Sequence, residues 1–411
     1  MTVECRSCRH PELAEVLDLG STPLANRLLT PDQLGEPEPR FPLVLAFCPR
    51  CALVQITETV PPEVLFRDYL YFSSFSDTMV QHARSIADRL RAERGLGPGS
   101  LVVEVASNDG YLLQHYVGAG VPVLGIEPAR NIAKVAEERG VRTVSEFFGL
   151  EIAERLAADG HRADVIHANN VLAHVADLNG FVAGLSALLK PDGLAVIEAP
   201  YLKDMLDHVE FDTIYHEHLC YFSLTALQAL FDRHGLRLVD VERLPIHGGS
   251  LRVHLAHAAS AERPAPAVAA LLAEEVGWGV DRLEAYRPFA DRVTRLRADL
   301  VALLRDLKAQ GRTLAAYGAS AKGSTLLNYM GIDGALLDFV VDRSTVKQGR
   351  YTPGTHLPIL PPEHLLAARP DDVLLLTWNF AEEIFHQQAA YLAAGGRFIV
   401  PVPAPTVVDA R

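Results

Sequence analysis

The stretch Leu101-Val102-Val103-Glu104-Val105-Ala106-Ser107-Asn108-Asp109-Gly110 sets the fold. A short apolar run bounded by small and turn-forming residues reads as a buried strand running into a tight turn, and the apolar spacing from Tyr111 predicts a helix after it. A second run, Val121-Pro122-Val123-Leu124-Gly125-Ile126, closes on Glu127. Strand, small-residue turn and helix bring backbone N–H groups close to a ligand, and an acid ending the second strand can accept bonds from both hydroxyls of a ribose. The turn is not GxGxxG and lacks the glycines that seat a pyrophosphate on a helix N-terminus. A nucleoside site is expected, and a dinucleotide is disfavoured.

The alternation continues in order. Asp164-Val165-Ile166-His167-Ala168-Asn169-Asn170-Val171-Leu172-Ala173-His174 reads as a later strand and loop. Leu188-Leu189-Lys190-Pro191-Asp192-Gly193-Leu194-Ala195-Val196-Ile197-Glu198 reads as a turn and a further strand. With VVEVASNDGYLL and GIEP, these segments resemble the ordered motifs of Rossmann-like S-adenosylmethionine (SAM) methyltransferases. The resemblance implies that Glu127 holds the ribose, that Ser107, Asn108 and Gly110 meet the methionine end, that Phe147 or its neighbours flank the adenine, and that Asn169 belongs to the same cofactor site. Ala106 departs from the pattern, since such enzymes usually carry glycine there.

Bulk properties frame this region. The chain has 411 residues, 49% of them hydrophobic, which is enough for two or three domains. With 38 basic against 51 acidic residues and a net charge of −13, a nucleic-acid partner is not expected. The N-terminus lacks the apolar core of a signal peptide, and no apolar run approaches a membrane span, so a cytoplasmic protein without a membrane partner is expected. Four of the five cysteines form two pairs, Cys5-Arg6-Ser7-Cys8 and Cys48-Pro49-Arg50-Cys51. Two CxxC turns supply the tetrahedral thiolate shell that zinc prefers, with no open position for catalysis. The alternatives are a redox pair or unrelated buried thiols. An aromatic, hydroxyl-rich segment, Asp68 to Ser76, follows, and a helix is predicted from about Asp77. Expected domains are a zinc-binding unit over 1–76, a SAM-binding unit over 77–262 and a C-terminal α/β unit over 263–411, joined by a helical stretch from Pro264 to Gln310.

In the last unit, Thr313 to Tyr317 reads as a strand, Gly318-Ala319-Ser320-Ala321-Lys322-Gly323-Ser324-Thr325 as a glycine- and hydroxyl-rich turn, and Leu326-Leu327-Asn328-Tyr329 as the start of a helix. Small residues at a helix N-terminus with an added lysine suit a phosphate.

Tyr215-His216-Glu217-His218-Leu219-Cys220-Tyr221 packs two histidines, an acid and two phenols together. In an extended segment His216 and His218 would share one face, opposite Tyr215 and Glu217. A metal site built from both histidines and Glu217, two structural histidines, and a catalytic base all remain open on the residues alone.

The CxxC pairs, ASNDG, YHEHLCYFS and YGASAKGSTLLNY together resemble, over essentially the full length, the three-domain sugar C-methyltransferases of bacterial deoxysugar and antibiotic biosynthesis. The resemblance implies an α/β architecture of zinc-binding, Rossmann-like SAM and Rossmann-like C-terminal domains. It implies a nucleotide-linked 4-keto-6-deoxyhexose as substrate, dTDP as the nucleotide and C-3 as the methylated carbon. It further implies His218 as the base, with Tyr215 and Glu217 holding the sugar or orienting the base. Tyr69, Tyr71, His216, Ser320, Lys322, Gly323 and Asn328 are then candidate substrate contacts. His247-Gly248-Gly249-Ser250-Leu251-Arg252 is a further candidate wall, with Arg252 toward a diphosphate. An N- or O-methyltransferase, or a zinc-anchored SAM-binding module without turnover, is the alternative.

Overall fold

A computed structural model of the chain describes residues 3–66, 72–246 and 248–409. Tyr69, Tyr71 and His247 lie outside them. The N-terminal part supplies β1 (Ala14–Thr22), β2 (Phe41–Phe47) and β3 (Val54–Ile56). Next come β4 (Val102–Val105), β5 (Val123–Ile126), β6 (Thr143–Val144), β7 (Ala163–Asn169), β8 (Leu189–Pro200), the short β9 (Cys220–Tyr221), β10 (Leu236–Leu244) and β11 (Ser250–His257). The last part carries β12 (Leu314–Tyr317), β13 (Val340–Val341), β14 (Ile359–Leu360), β15 (Asp372–Leu375), β16 (Arg397–Val400) and β17 (Thr406–Val408).

The central sheet runs β10-β11-β8-β7-β4-β5-β6. Strands β4 to β8 pair in parallel, and β8, β11 and β10 pair antiparallel. Every residue of β4 is buried, as expected of a parallel strand covered on both faces. The strand order reverses between β5 and β7 on either side of β4, which opens a crevice at the carboxyl ends of these strands. The C-terminal sheet, β14-β13-β12-β15-β16-β17, repeats that plan, with its own reversal at β12.

The N-terminal sheet has the order β1-β2-β3-β9. Its edge strand comes from far along the chain, immediately after His218. Val54 pairs with Tyr221 and Gln55 with Cys220, so the N-terminal unit is completed by the segment that carries the two histidines. The stretch expected to link the domains is two helices, Pro266–Trp278 and Arg287–Ala309. Gly279 ends the first in a left-handed conformation at φ 85°, where glycine carries no Cβ penalty. Among the described residues, no helix is long and apolar enough to cross a membrane.

Candidate active site

The two CxxC turns fold alike. Arg9 N–H donates to the Cys5 carbonyl and Ala52 N–H to the Cys48 carbonyl, each at 2.9 Å, and Arg9 and Ala52 turn the chain with positive φ. The four thiol sulfurs lie within 4.8 Å of one another, with Cys5 and Cys51 Sγ 3.5 Å apart and Cys8 and Cys48 Sγ likewise. Zn–S bonds of about 2.3 Å in a tetrahedron place sulfurs about 3.8 Å apart, so this cluster fits a structural zinc with all four positions taken. Among the described residues it is the one group of ligating side chains gathered this closely. The metal reading of His216, His218 and Glu217 has no such convergence behind it.

At the carboxyl end of β4, Ala106, Asn108 and Gly110 take φ of 56°, 48° and 77°. These left-handed steps turn the loop across the end of the sheet. Glu127, ending β5, accepts from Asn108 N–H at 3.0 Å and Ala129 N–H at 2.9 Å, and burial raises its pKa against those two bonds. Ser107 is fully buried and among the described residues its hydroxyl has no hydrogen-bond partner, nor has the Asn169 side-chain oxygen at the end of β7. Gly125 leaves room for Ser107, whose Oγ would lie 2.5 Å from a Cβ there. Unsatisfied polar atoms around a crevice at a strand reversal suit the methionine and ribose ends of SAM. Phe147 stands 45% exposed beyond β6, open to a ligand face. Glu104 is also missed by the motif reading. It is wholly buried with Oε2 unpaired among the described residues, and burial together with Glu127 and Asp109 pushes its carboxyl far up. A lone acid in the run Val102 to Val105 was the available signal.

The hydroxyl-rich segment reaches this loop. Ser73 N–H donates to Asn108 Oδ1 at 2.9 Å, and Ser74 hydroxyl donates to Asp109. Arg139 closes the cluster on Asp109 Oδ2 at 3.1 Å.

The YHEH stretch is a turn and not an extended strand. His218 N–H donates to the Tyr215 carbonyl at 2.9 Å, which brings the first and fourth residues together and sends the middle two away. The expected shared face of His216 and His218 is therefore incorrect. Tyr215 hydroxyl lies 2.8 Å from His218 Nε2, with ring centroids 4.1 Å apart. His218 Nδ1 lies 2.9 Å from the Thr213 carbonyl. A carbonyl only accepts, so Nδ1 carries the proton and Nε2 is the accepting nitrogen, to which Tyr215 O–H donates. His174 stacks edge-on against His218 at 4.8 Å, and burial lowers its pKa to about 4, which keeps that neighbour neutral.

His216 points into the N-terminal unit, 2% exposed, donating from Nε2 to the Pro42 carbonyl at 3.1 Å and packing edge-on against Phe41. Glu217 accepts from Asn26 Nδ2 at 2.8 Å, and burial pushes its carboxyl up to about 7. Asn26 carried no sequence signal, since it sits far from any motif.

The other expected walls fall out differently. Arg252 is 4% exposed and bound to Glu198 at 2.7 Å, with Glu242 3.4 Å away, so its charge is already matched inside the sheet and does not face a diphosphate. Ser320 caps the helix Ala321–Met330 by accepting from Gly323 N–H at 3.0 Å. A Cβ on Gly323 would meet the Leu376 side chain at 2.7 Å, so that glycine allows helix and strand to pack. Asn328 donates to the Ser324 and Pro353 carbonyls at 2.9 and 3.0 Å. Lys322 Nζ sits 4.7 Å from the Trp378 ring centroid, buried and without a hydrogen-bond partner among the described residues, and its charge acts on Glu210 and Asp212.

Three family models match the chain in succession: a putative zinc binding domain at 5–66, a methyltransferase domain at 79–241 and a C-methyltransferase C-terminal domain at 245–403. The C-methyltransferase NovU of Streptomyces niveus is 43% identical over 408 residues, covering 99% of this chain and 97% of that protein. A ubiquinone biosynthesis O-methyltransferase of Bartonella bacilliformis is 30% identical over 100 residues, 24% of this chain and 40% of its own. Magnesium protoporphyrin IX methyltransferase from Synechocystis PCC 6803 with bound SAM covers 43% of this chain and 79% of that one, with 14% identity and a TM-score of 0.34. With a full-length relative, three matching domain models in the same order and a four-cysteine cluster in the first of them, the chain belongs to the family of SAM-dependent C-methyltransferases that carry an N-terminal zinc-binding domain.

Proposed function

We propose that this enzyme methylates C-3 of a dTDP-linked 4-keto-6-deoxyhexose in deoxysugar biosynthesis, with His218 as the base. One observation carries the reading: an imidazole whose protonated nitrogen is fixed by the Thr213 carbonyl and whose accepting nitrogen meets a phenol. A hydrogen on the carbon beside a ketone is acidic enough to remove when a base of near-neutral pKa takes it and a donor meets the developing oxyanion. His218 Nε2 takes that proton. The lone pair that accepts from Tyr215 is the one that receives it, so the Tyr215 hydroxyl turns away first and donates to the ketone oxygen that becomes the enolate. Bound SAM supplies the electrophilic methyl group. In this reading Glu217, whose carboxyl burial pushes up to about 7, holds the sugar or orients the base. In this reading Ser320, Lys322 and Asn328 belong to the C-terminal side of the sugar cleft, with Gly323 packing their helix against Leu376, and Glu127, Ser107, Asn108, Gly110, Asn169 and Phe147 to the cofactor side.

The test separates proton removal from methyl transfer. With S-adenosylhomocysteine bound, the enzyme is expected to exchange the hydrogen beside the ketone for solvent deuterium. His218→Gln should lose exchange and methylation together, by about 10²–10⁴ in rate, with SAM affinity retained. Wild-type exchange in that variant would remove His218 from the role. His216→Ala serves as the comparison; since its ring is buried against Pro42, loss there should come with lost stability and not alone.

A further inference from the structure

The turn before His218 is held from outside the central domain. Glu210 to Ile214 form a tight loop in which Thr213 N–H donates to the Glu210 carbonyl at 3.1 Å and Ile214 N–H to that of Phe211 at 3.0 Å. Its outward side chains both dock on the C-terminal domain. The Phe211 ring lies 5.4 Å from that of Tyr329, on the helix Ala321–Met330. Asp212 is completely buried and accepts from Trp378 Nε1 at 2.7 Å, just past the end of β15. The next residue is Thr213, whose carbonyl receives the His218 Nδ1 proton. Lys322 Nζ packs over the face of the Trp378 ring, 4.7 Å from its centroid.

We infer that Trp378 and Asp212 are positioning residues: their hydrogen bond across the domain boundary sets the Thr213 carbonyl, and through it the orientation and tautomer of the His218 imidazole. This rests on His218 being the base. A shift of the turn by about 1 Å leaves the Nδ1 bond too long, and misplacement on that scale costs about 10²-fold in rate. The C-terminal domain then takes part in catalysis without touching the reacting carbon, and a C-terminal domain that loosens would switch off proton removal while leaving the cofactor loop at Glu127 intact.

The experiment uses the full chain with zinc and S-adenosylhomocysteine bound. Trp378→Phe keeps a ring under Lys322 and removes only the N–H. Exchange at the sugar carbon should fall about 10- to 100-fold, with unchanged SAM affinity, a Tm lowered by no more than a few degrees for the stranded Asp212 oxygen, and the loss in kcat and not KM. Asp212→Asn keeps an acceptor for the indole and should stay near wild type, whereas Asp212→Ala should match Trp378→Phe. Wild-type exchange in Trp378→Phe, or loss of exchange only in step with SAM binding and cooperative unfolding, overturns the inference. Equal damage from the two Asp212 substitutions does so too, and decides the matter should Trp378→Phe not fold. Exchange that survives His218→Gln defeats the base assignment; exchange lost there but intact in Trp378→Phe defeats only the positioning role.

Discussion

Glu217 is 4% exposed and, among the described residues, has a single side-chain donor, Asn26, so the protein surrounds its carboxyl with too little compensation for a full charge. Burial raises it to about 7, against about 4.3 in an unfolded chain. A carboxyl whose folded pKa is raised binds more protons folded than unfolded, so its contribution is complete below about pH 4.3 and is lost as pH rises through about 7. Glutamine mimics the protonated acid and accepts the same Asn26 bond. Glu217→Gln should therefore be more stable than wild type at pH 8, by a few kcal/mol at most, with the difference vanishing near pH 4. Denaturant midpoints at both values check this, and a wild type that is the more stable at pH 8 refutes it. Ala106 makes a separate point. Its φ of 56° costs an L-residue about 1–2 kcal/mol, while glycine adds about 0.4–1 kcal/mol of unfolded-chain entropy. Ala106→Gly should raise Tm slightly with SAM affinity preserved, and a lowered Tm would show that the loop wants the methyl group.

At the scale of elements, what was legible followed from periodicity and turn chemistry. The apolar run at Val102 to Val105, the acid ending β5 and the helix opening at Asp77 are local signals, and the structure places them as read. The CxxC pairs were legible for the same reason, because four thiolates converge whatever lies between. YHEH was not. An extended segment would put both histidines on one face, but the close Tyr215 to His218 turn is imposed from outside by the Leu219 N–H bond to the Ala173 carbonyl at 2.7 Å and the pairing of β9 with β3. Tertiary contacts over such sequence distances leave no periodicity to find. The same holds for Arg252, whose neighbours Glu198 and Glu242 belong to two other strands, and for Asp212 with Trp378, 166 residues apart. A buried arginine reads from sequence as a free cation until its partners are known.

Across the whole molecule, the turn carrying His218 is where three domains meet. The central domain holds it at Leu219 through Ala173, the C-terminal domain at Asp212 through Trp378, and the N-terminal domain at three points: Pro42 with His216, Asn26 with Glu217, and Ile56 N–H with the Leu219 carbonyl at 3.0 Å. The last of these runs back to the metal. Gln55, in β3, accepts from Arg6 N–H at 2.8 Å and donates to the Glu4 carbonyl at 3.2 Å, while Cys48 N–H donates to the Leu53 carbonyl at 2.9 Å. β3 is thus fastened to both CxxC turns. A zinc held by four thiolates takes no substrate, yet its loss frees β3 and with it β9. The cofactor loop is fixed elsewhere, by Glu127 and Arg139. Removing zinc with a strong chelator under reducing conditions, or Cys48→Ser, should lower Tm and increase amide exchange at 54–56 and 219–221. Substrate deuterium exchange should fall at least about tenfold, the misplacement scale, while SAM affinity changes by no more than a few-fold. Metal analysis should find about one zinc per chain beforehand. A zinc-free enzyme that still exchanges substrate hydrogen at the wild-type rate would show that the N-terminal domain stabilises its own fold and leaves the catalytic turn alone.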